Sequence, residues 1–170
     1  AAYMKESDGE RKIRDAADYL DDMIDEVGTP AAIPKGWDLP WDKMAGMFRF
    51  HPGEVTLWHG QNFSGKSMLT GQVAVDLCWQ GYRVCVASME MLPSRTLQRM
   101  CRQAWGTNQP EVDAINKFHD WLDEKAWLYD KRGSVQWERL IAVIRYAVDK
   151  FDIQHFFVDS LMKCVKGEDD

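Results

Sequence analysis

Apolar residues recur along this chain with two different periods. Between Glu10 and Val27 they fall at Ile13, Ala16, Ala17, Leu20, Met23, Ile24 and Val27, the spacing of one helix face. Asp18, Asp21, Asp22, Asp25 and Glu26 lie largely on the opposite face. Gly28 and Pro30 end this amphipathic helix, and the Gly- and Pro-rich stretch Gly28–Pro40 reads as a linker. The helix either packs on its own domain or reaches a neighbouring subunit. Residues 1–34 are therefore expected to form an N-terminal helix and linker, and residues 35–170 a globular domain.

From Glu54 onward short β-prone runs alternate with helical periods. Val55–His59, Arg83–Ser88, Trp127–Tyr129 and His155–Val158 read as strands. Lys66–Gln80, Pro93–Trp105 and Glu111–Glu124 read as helices, the first two stopped by Gly81 and Gly106. A further helix is expected to run from an N-cap at Ser134 through Lys150. Strands alternating with helices of this length predict an α/β fold, a mainly parallel sheet covered by helices on both faces.

Composition narrows the class without naming a chemistry. The chain has 170 residues, 45% of them hydrophobic and eight of them Trp, which is a globular and not a disordered balance. Trp79, Trp105, Trp121 and Trp137 sit in helical patterns beside other apolar residues and are expected in the core; Trp37 and Trp41 are expected against the domain edge. No apolar run approaches the ~20 residues of a membrane span, and the polar start of the chain does not read as a signal peptide. Cys78, Cys85, Cys101 and Cys164 are scattered without a C-x-x-C pair, which points to reduced thiols in a cytosol. A net charge of −6 argues against a surface that is basic throughout. Arg95, Arg99 and Arg102 form a local basic stripe, better read as a solvated or intersubunit face than as a nucleic-acid groove.

The candidate chemistry begins at Gly60-Gln61-Asn62-Phe63-Ser64-Gly65-Lys66-Ser67, which fits G-x-x-x-x-G-K-[ST]. Glycines let a backbone turn tightly and bring N–H groups against phosphate oxygens. The following helix start favours an anion. Lys66 is expected to reach the β- and γ-phosphates of ATP or another nucleoside triphosphate, and the Ser67 hydroxyl to bind Mg²⁺. Phe63 stands where many such loops have Gly, so the loop is expected to avoid a glycine-only conformation there. A partner carboxylate for the metal is expected at the end of an apolar strand, and His155-Phe156-Phe157-Val158-Asp159 supplies Asp159. Glu90, just past the strand Arg83–Ser88, is the candidate to orient or deprotonate an attacking water; the alternative is an ordinary surface carboxylate.

The set Gly60–Ser67, Ser88-Met89-Glu90-Met91 and Phe156-Phe157-Val158-Asp159-Ser160 resembles the RecA-like motor domain of DnaB-type replicative helicases. It looks closest to phage-encoded helicases and primase-helicases and to the Twinkle-like branch. The resemblance covers about Lys35 to Glu168. It implies that Glu90 is the catalytic glutamate, that Lys66 and Ser67 serve phosphate and magnesium, and that Asp159 is the second metal residue. It also implies a homo-oligomeric ring, usually a hexamer, acting on single-stranded DNA, with a possible primase partner. The helix Glu10–Val27 resembles the linker helix that docks on the next subunit. In that family the DNA-contacting loops and the arginine finger lie beyond the metal-binding strand. The 170-residue chain is therefore expected to bind nucleotide and hydrolyse it poorly. The competing expectation is a RecA-like ATPase that regulates or remodels a partner and unwinds nothing.

Overall fold

The computed structural model describes residues 15–28 and 36–164. The chain divides into two compact units, Ala1–Lys35 and Gly36–Asp170. Within the first unit, Asp15 caps a single 3-10 turn, Ala16–Tyr19, by accepting a hydrogen bond from the Ala17 N–H at 2.9 Å. Helix α1, Leu20–Gly28, follows. Leu20, Met23 and Ile24 share one face and are exposed. The part of the expected helix before Asp15 lies outside the described residues.

The second unit is built on a three-stranded parallel sheet. Its strands are β3 (Val84–Ser88), β4 (Ala126–Leu128) and β5 (His155–Asp159), in the order β4-β3-β5. The central strand is buried at all five positions, which explains why it reads as an unbroken apolar run and not as an alternation. Helices α2 (Lys66–Trp79), α3 (Pro93–Trp105), α4 (Val112–Leu122) and α5 (Trp137–Phe151) link the strands. Side chains alternate across β3. Val84 and Val86 join Val73, Ala74 and Leu77 of α2, Met100 of α3 and Phe118 of α4. On the other face, Cys85 meets Ala147 and Ala87 meets Leu140, both from α5. The expected mixed α/β architecture, a parallel sheet with helices on both faces, is present.

A small antiparallel ribbon, β1 (Trp37–Asp38) with β2 (Arg49–Phe50), precedes this sheet. Arg49 clamps Asp38 across it, its Nε 2.9 Å from Oδ1 and its Nη2 3.3 Å from Oδ2. The ribbon takes up part of the stretch that reads as linker. Trp37 stands edge-on to Tyr82 and His155, with centroids 5.2 and 4.3 Å away, and Trp41 also packs against the core.

Three expectations need correction. The β-prone run Val55–His59 is not a strand, and Val55 and Leu57 are exposed. Among the described residues it pairs with no strand, and Thr56, Leu57 and Trp58 line a cavity that β5 also lines. The last helix starts at Trp137 with Gln136 as its N-cap, not at Ser134. The Val135 N–H donates to the Lys163 carbonyl at 2.8 Å and its side chain is buried, so this residue is held extended. Trp79, Trp105 and Trp137 are 63%, 48% and 53% exposed, so they are not core. Trp79 instead lies on half-buried Trp121, centroids 4.5 Å apart. The Trp105 indole N–H donates to the Ala114 carbonyl at 3.0 Å, tying α3 to α4. Apolar helical periodicity identifies the partners of a helix without distinguishing sheet from neighbouring helix surface.

All four cysteines are free and buried. Burial pushes the Cys78 thiol up to about 12 and the Cys85 thiol up to about 11, so both stay protonated and unreactive at neutral pH. No described helix is long and apolar enough to cross a membrane.

His155 gives the fold a measurable pH dependence. It is half-buried among Trp37, Phe50 and Tyr82, and its Nε2 has no hydrogen-bond partner. Burial pulls its pKa down to about 4. Between pH 6.5 and 4 the unfolded chain binds a proton at this site that the folded chain refuses. Stability therefore falls as pH drops through that window, and this contribution is flat above and below it. Urea midpoints for the parent and His155→Phe should diverge above pH 4 in this sense; parallel pH profiles would show that His155 is solvated.

Candidate functional site

The geometry of the site follows from strand register. In the β3–β5 ladder Ser88 stands opposite Asp159, and Val86 opposite Phe157. Residues two apart in a strand share a face. Ser88 and Asp159 therefore lie on the face that carries Val84, Val86 and Phe157, against which α2 packs. The α2 N-terminus carries Lys66 and Ser67. One cavity of about 280 Å³ opens there, and Lys66, Ser67, Ser88, Asp159 and Ser160 line it.

The loop before α2 is shaped by its glycines. Gly65 is the helix N-cap with φ +88°, a left-handed conformation that glycine adopts freely. A Cβ on Gly60 would stand 2.9 Å from Ser64 Oγ, so a larger residue there would have to turn the Ser64 hydroxyl aside. Lys66 Nζ donates to the Gly60 and Gln61 carbonyls, both at 2.7 Å, closing the loop on its own ammonium. The Ser64 N–H donates to the Gln61 carbonyl at 3.3 Å. Phe63 takes φ +63° and is fully exposed. The loop thus uses the left-handed well, which residues with a Cβ enter at a cost, in place of the glycine-only region. Gly60, Gln61, Asn62, Phe63, Ser64 and Gly65 are exposed and do not line the cavity; Lys66 and Ser67 do.

The helix start is braced from behind. Gln103 Nε2 of α3 donates to the Met68 carbonyl in the first turn of α2 at 2.6 Å. Thr70 Oγ1 donates to the Lys66 carbonyl at 3.2 Å. The first contact ties the α2 N-terminus to α3, and the second closes the first turn of α2 on itself.

Glu90 stands just past the end of β3. It is exposed and does not line the cavity; with Arg95 and Arg132 it borders a separate shallow recess. Its link to the cavity is one hydrogen bond: Ser160 Oγ donates to Glu90 Oε1 at 3.0 Å. The backbone supports the link, since the Met89 N–H donates to the Asp159 carbonyl at 2.7 Å and the Gly133 N–H to the Met89 carbonyl at 3.0 Å. Of the arginine stripe, Arg99 folds onto Met91, Nη2 to Sδ 2.9 Å, while Arg95 and Arg102 are exposed.

Two residues that sequence reasoning left without a role belong here. Ser160 joins Glu90 to the cavity. Ser88 is 7% exposed, and its Oγ has no hydrogen-bond partner. Neither is marked by residue type; only the strand register reveals them.

The residues fit a group that carries phosphate and a hard cation. Lys66 supplies the positive charge, the Ser67 hydroxyl and the Asp159 carboxylate supply oxygen ligands, and the α2 N-terminus favours an anion. Among the described residues no three His, Cys, Asp or Glu side chains gather as a metal cage. A cation here would draw its remaining ligands from phosphate and water, as Mg²⁺ usually does. No family model matches the sequence.

The strain at Phe63 is testable by itself. A left-handed residue with a Cβ costs roughly 1–2 kcal/mol, and this exposed side chain gives up no burial on removal. Phe63→Gly should stabilise the protein by about 1 kcal/mol after the extra chain entropy of glycine is deducted. Chemical denaturation measures this, and a loss of stability would mean that Phe63 makes contacts its exposure does not suggest.

Proposed function

We propose that this chain is the nucleotide-binding core of a RecA-like P-loop ATPase of the replicative helicase kind, working in the cytoplasm. It would couple ATP-Mg²⁺ hydrolysis to movement on single-stranded DNA as part of a homo-oligomeric ring. The observation that carries the reading is the convergence of Lys66, Ser67 and Asp159 on one cavity, although Ser67 and Asp159 lie 92 residues apart in the chain. The resemblance of the S-M-E-M segment and of the Asp159–Ser160 strand end to DnaB-type motors supplies the direction; the geometry alone supports only a phosphate and metal site.

The residues divide the work. Lys66 would leave the Gly60 and Gln61 carbonyls for the phosphates, exchanging two neutral acceptors for anionic oxygens. Ser67 and Asp159 would hold Mg²⁺ between them. ATP-Mg²⁺, when bound, supplies the reacting phosphoanhydride. Glu90, held by Ser160, would accept the proton of the attacking water at its carboxylate. One observation favours the second reading, a regulatory or remodelling ATPase: Glu90 stands outside the cavity lining, an arrangement suited to tight binding with slow turnover.

Lys66→Ala should weaken ATP-Mg²⁺ binding roughly 10- to 100-fold, the worth of one or two charge-assisted hydrogen bonds. Calorimetric titration decides this, and unchanged affinity would reduce the loop motif to coincidence.

Glu90→Gln keeps the shape and removes the base. ATP should still bind while turnover falls about 10²–10⁴-fold. In the assembled protein, single-stranded DNA and ATP should change each other's affinity by the same factor, because coupling between two ligands is reciprocal, and a motor should also turn ATP over faster on DNA. Turnover indifferent to DNA, with no opening of a forked duplex, would leave the regulatory ATPase standing in place of the motor.

A further inference from the structure

The most informative unassigned group is the Ser88 hydroxyl. It terminates the central strand, is more than nine-tenths buried, and finds no partner in the protein. A buried hydroxyl without a partner loses its bonds to water and gains none in exchange. Apolar residues would fill this position at no such cost, as Val84 and Val86 do on the same face. Ser88 is one of the residues lining the cavity, and its register partner is Asp159, so the two side chains stand side by side on adjacent strands. The same cavity is bordered by Ser67.

We propose that Ser88 is a third polar contact of the metal side of this site. Its hydroxyl bonds a water in the hydration shell of the divalent cation that Ser67 and Asp159 hold. A hydroxyl suits that place because it both donates and accepts, and so serves a metal-bound water without adding charge. A second carboxylate there would repel Asp159 on the paired strand. The proposal rests on the reading of the cavity as a nucleotide–metal site, and extends it to a residue that the P-loop pattern does not contain. Ser88 in this role is a binding residue for the metal–nucleotide group; Glu90 keeps the chemistry.

The test is calorimetric titration of the whole chain with ATPγS, once with Mg²⁺ and once with EDTA. The parent, Ser88→Ala, Ser88→Thr and Lys66→Ala are compared. Ser88→Ala should lose roughly 10-fold in affinity with Mg²⁺, the effect of one hydrogen bond to a charged group, and nothing with EDTA. Ser88→Thr restores the hydroxyl and should recover the affinity. The ligand-free Ser88→Ala protein should melt no lower than the parent, since it loses only an unpaired polar group. That combination, unharmed stability with weaker binding confined to the metal arm, is what a merely structural serine would not produce. Parent-like affinity in Ser88→Ala, with Lys66→Ala impaired, overturns the proposal and leaves the nucleotide site intact. Equal losses with and without Mg²⁺ overturn the metal assignment. A parent that binds no nucleotide overturns both.

Discussion

The site depends on the register of β3 against β5. A parallel ladder fixes which residues stand abreast, and a slip of one position would turn every side chain to the opposite face. In the observed register Ser88 meets Asp159 and both point to the side where α2 begins. A one-residue slip would send Asp159 toward Ala87 and the α5 side, among Leu140 and Val135. There an ionised carboxylate would be buried without a partner, which is costly. The apolar residues enforce the register that the polar ones need. Val84, Val86 and Phe157 go to one core, and Ala87, Phe156 and Val158 to the other. Packing thereby specifies the position of the chemistry without contributing an atom to it.

The loop at the start of α2 is the complementary constraint. Its two limbs approach closely at Gly60 and Ser64, it turns through left-handed residues at Phe63 and Gly65, and Lys66 closes it on two carbonyls. The Lys66 ammonium thus stabilises the ligand-free loop with bonds to neutral acceptors. Anionic oxygens are stronger partners for the same donors. Ligand binding on the proposed reading is an exchange of partners by one charged group, with the helix start already tied to α3 by Gln103. Preorganisation of this kind lowers the cost of ordering the site.

Much of this was legible in the sequence because it is carried by local pattern. Pro93–Trp105 is bounded by Pro and Gly and has those same limits in the structure. Lys66 and Asp159 were visible because a charged residue following an apolar strand, or opening a helix after a glycine loop, has few structural explanations. What could not be read is what depends on pairing. Val55–His59 has the composition of a strand and lacks a partner, so it stays outside the sheet. Ser134 has the side chain of a cap, but the backbone beside it is held extended by Lys163. Trp79 and Trp137 satisfy a helical apolar period and lie on outer surfaces. Ser88 and Ser160 carry no marking residue type at all, and gain meaning only from the strand opposite and from the carboxylate each one meets or adjoins.

The distribution of rigidity across the site has a consequence for how hydrolysis could be controlled. Lys66, Ser67, Ser88 and Asp159 all sit on regular elements, with backbone bonded into a helix or a sheet ladder. Glu90 does not. It follows β3 in a bend, is exposed, and is held at its carboxylate by the Ser160 hydroxyl. Ser160 itself is the first residue past β5, directly after Asp159. A shift at the Asp159 carboxylate would therefore reach Glu90 through one peptide unit and one hydrogen bond. On the proposed reading, binding is assigned to the rigid part and proton transfer to the adjustable part. General-base catalysis is sensitive to placement at the level of an ångström, so on the proposed reading the 3.0 Å bond from Ser160 bears directly on where the Glu90 carboxylate stands.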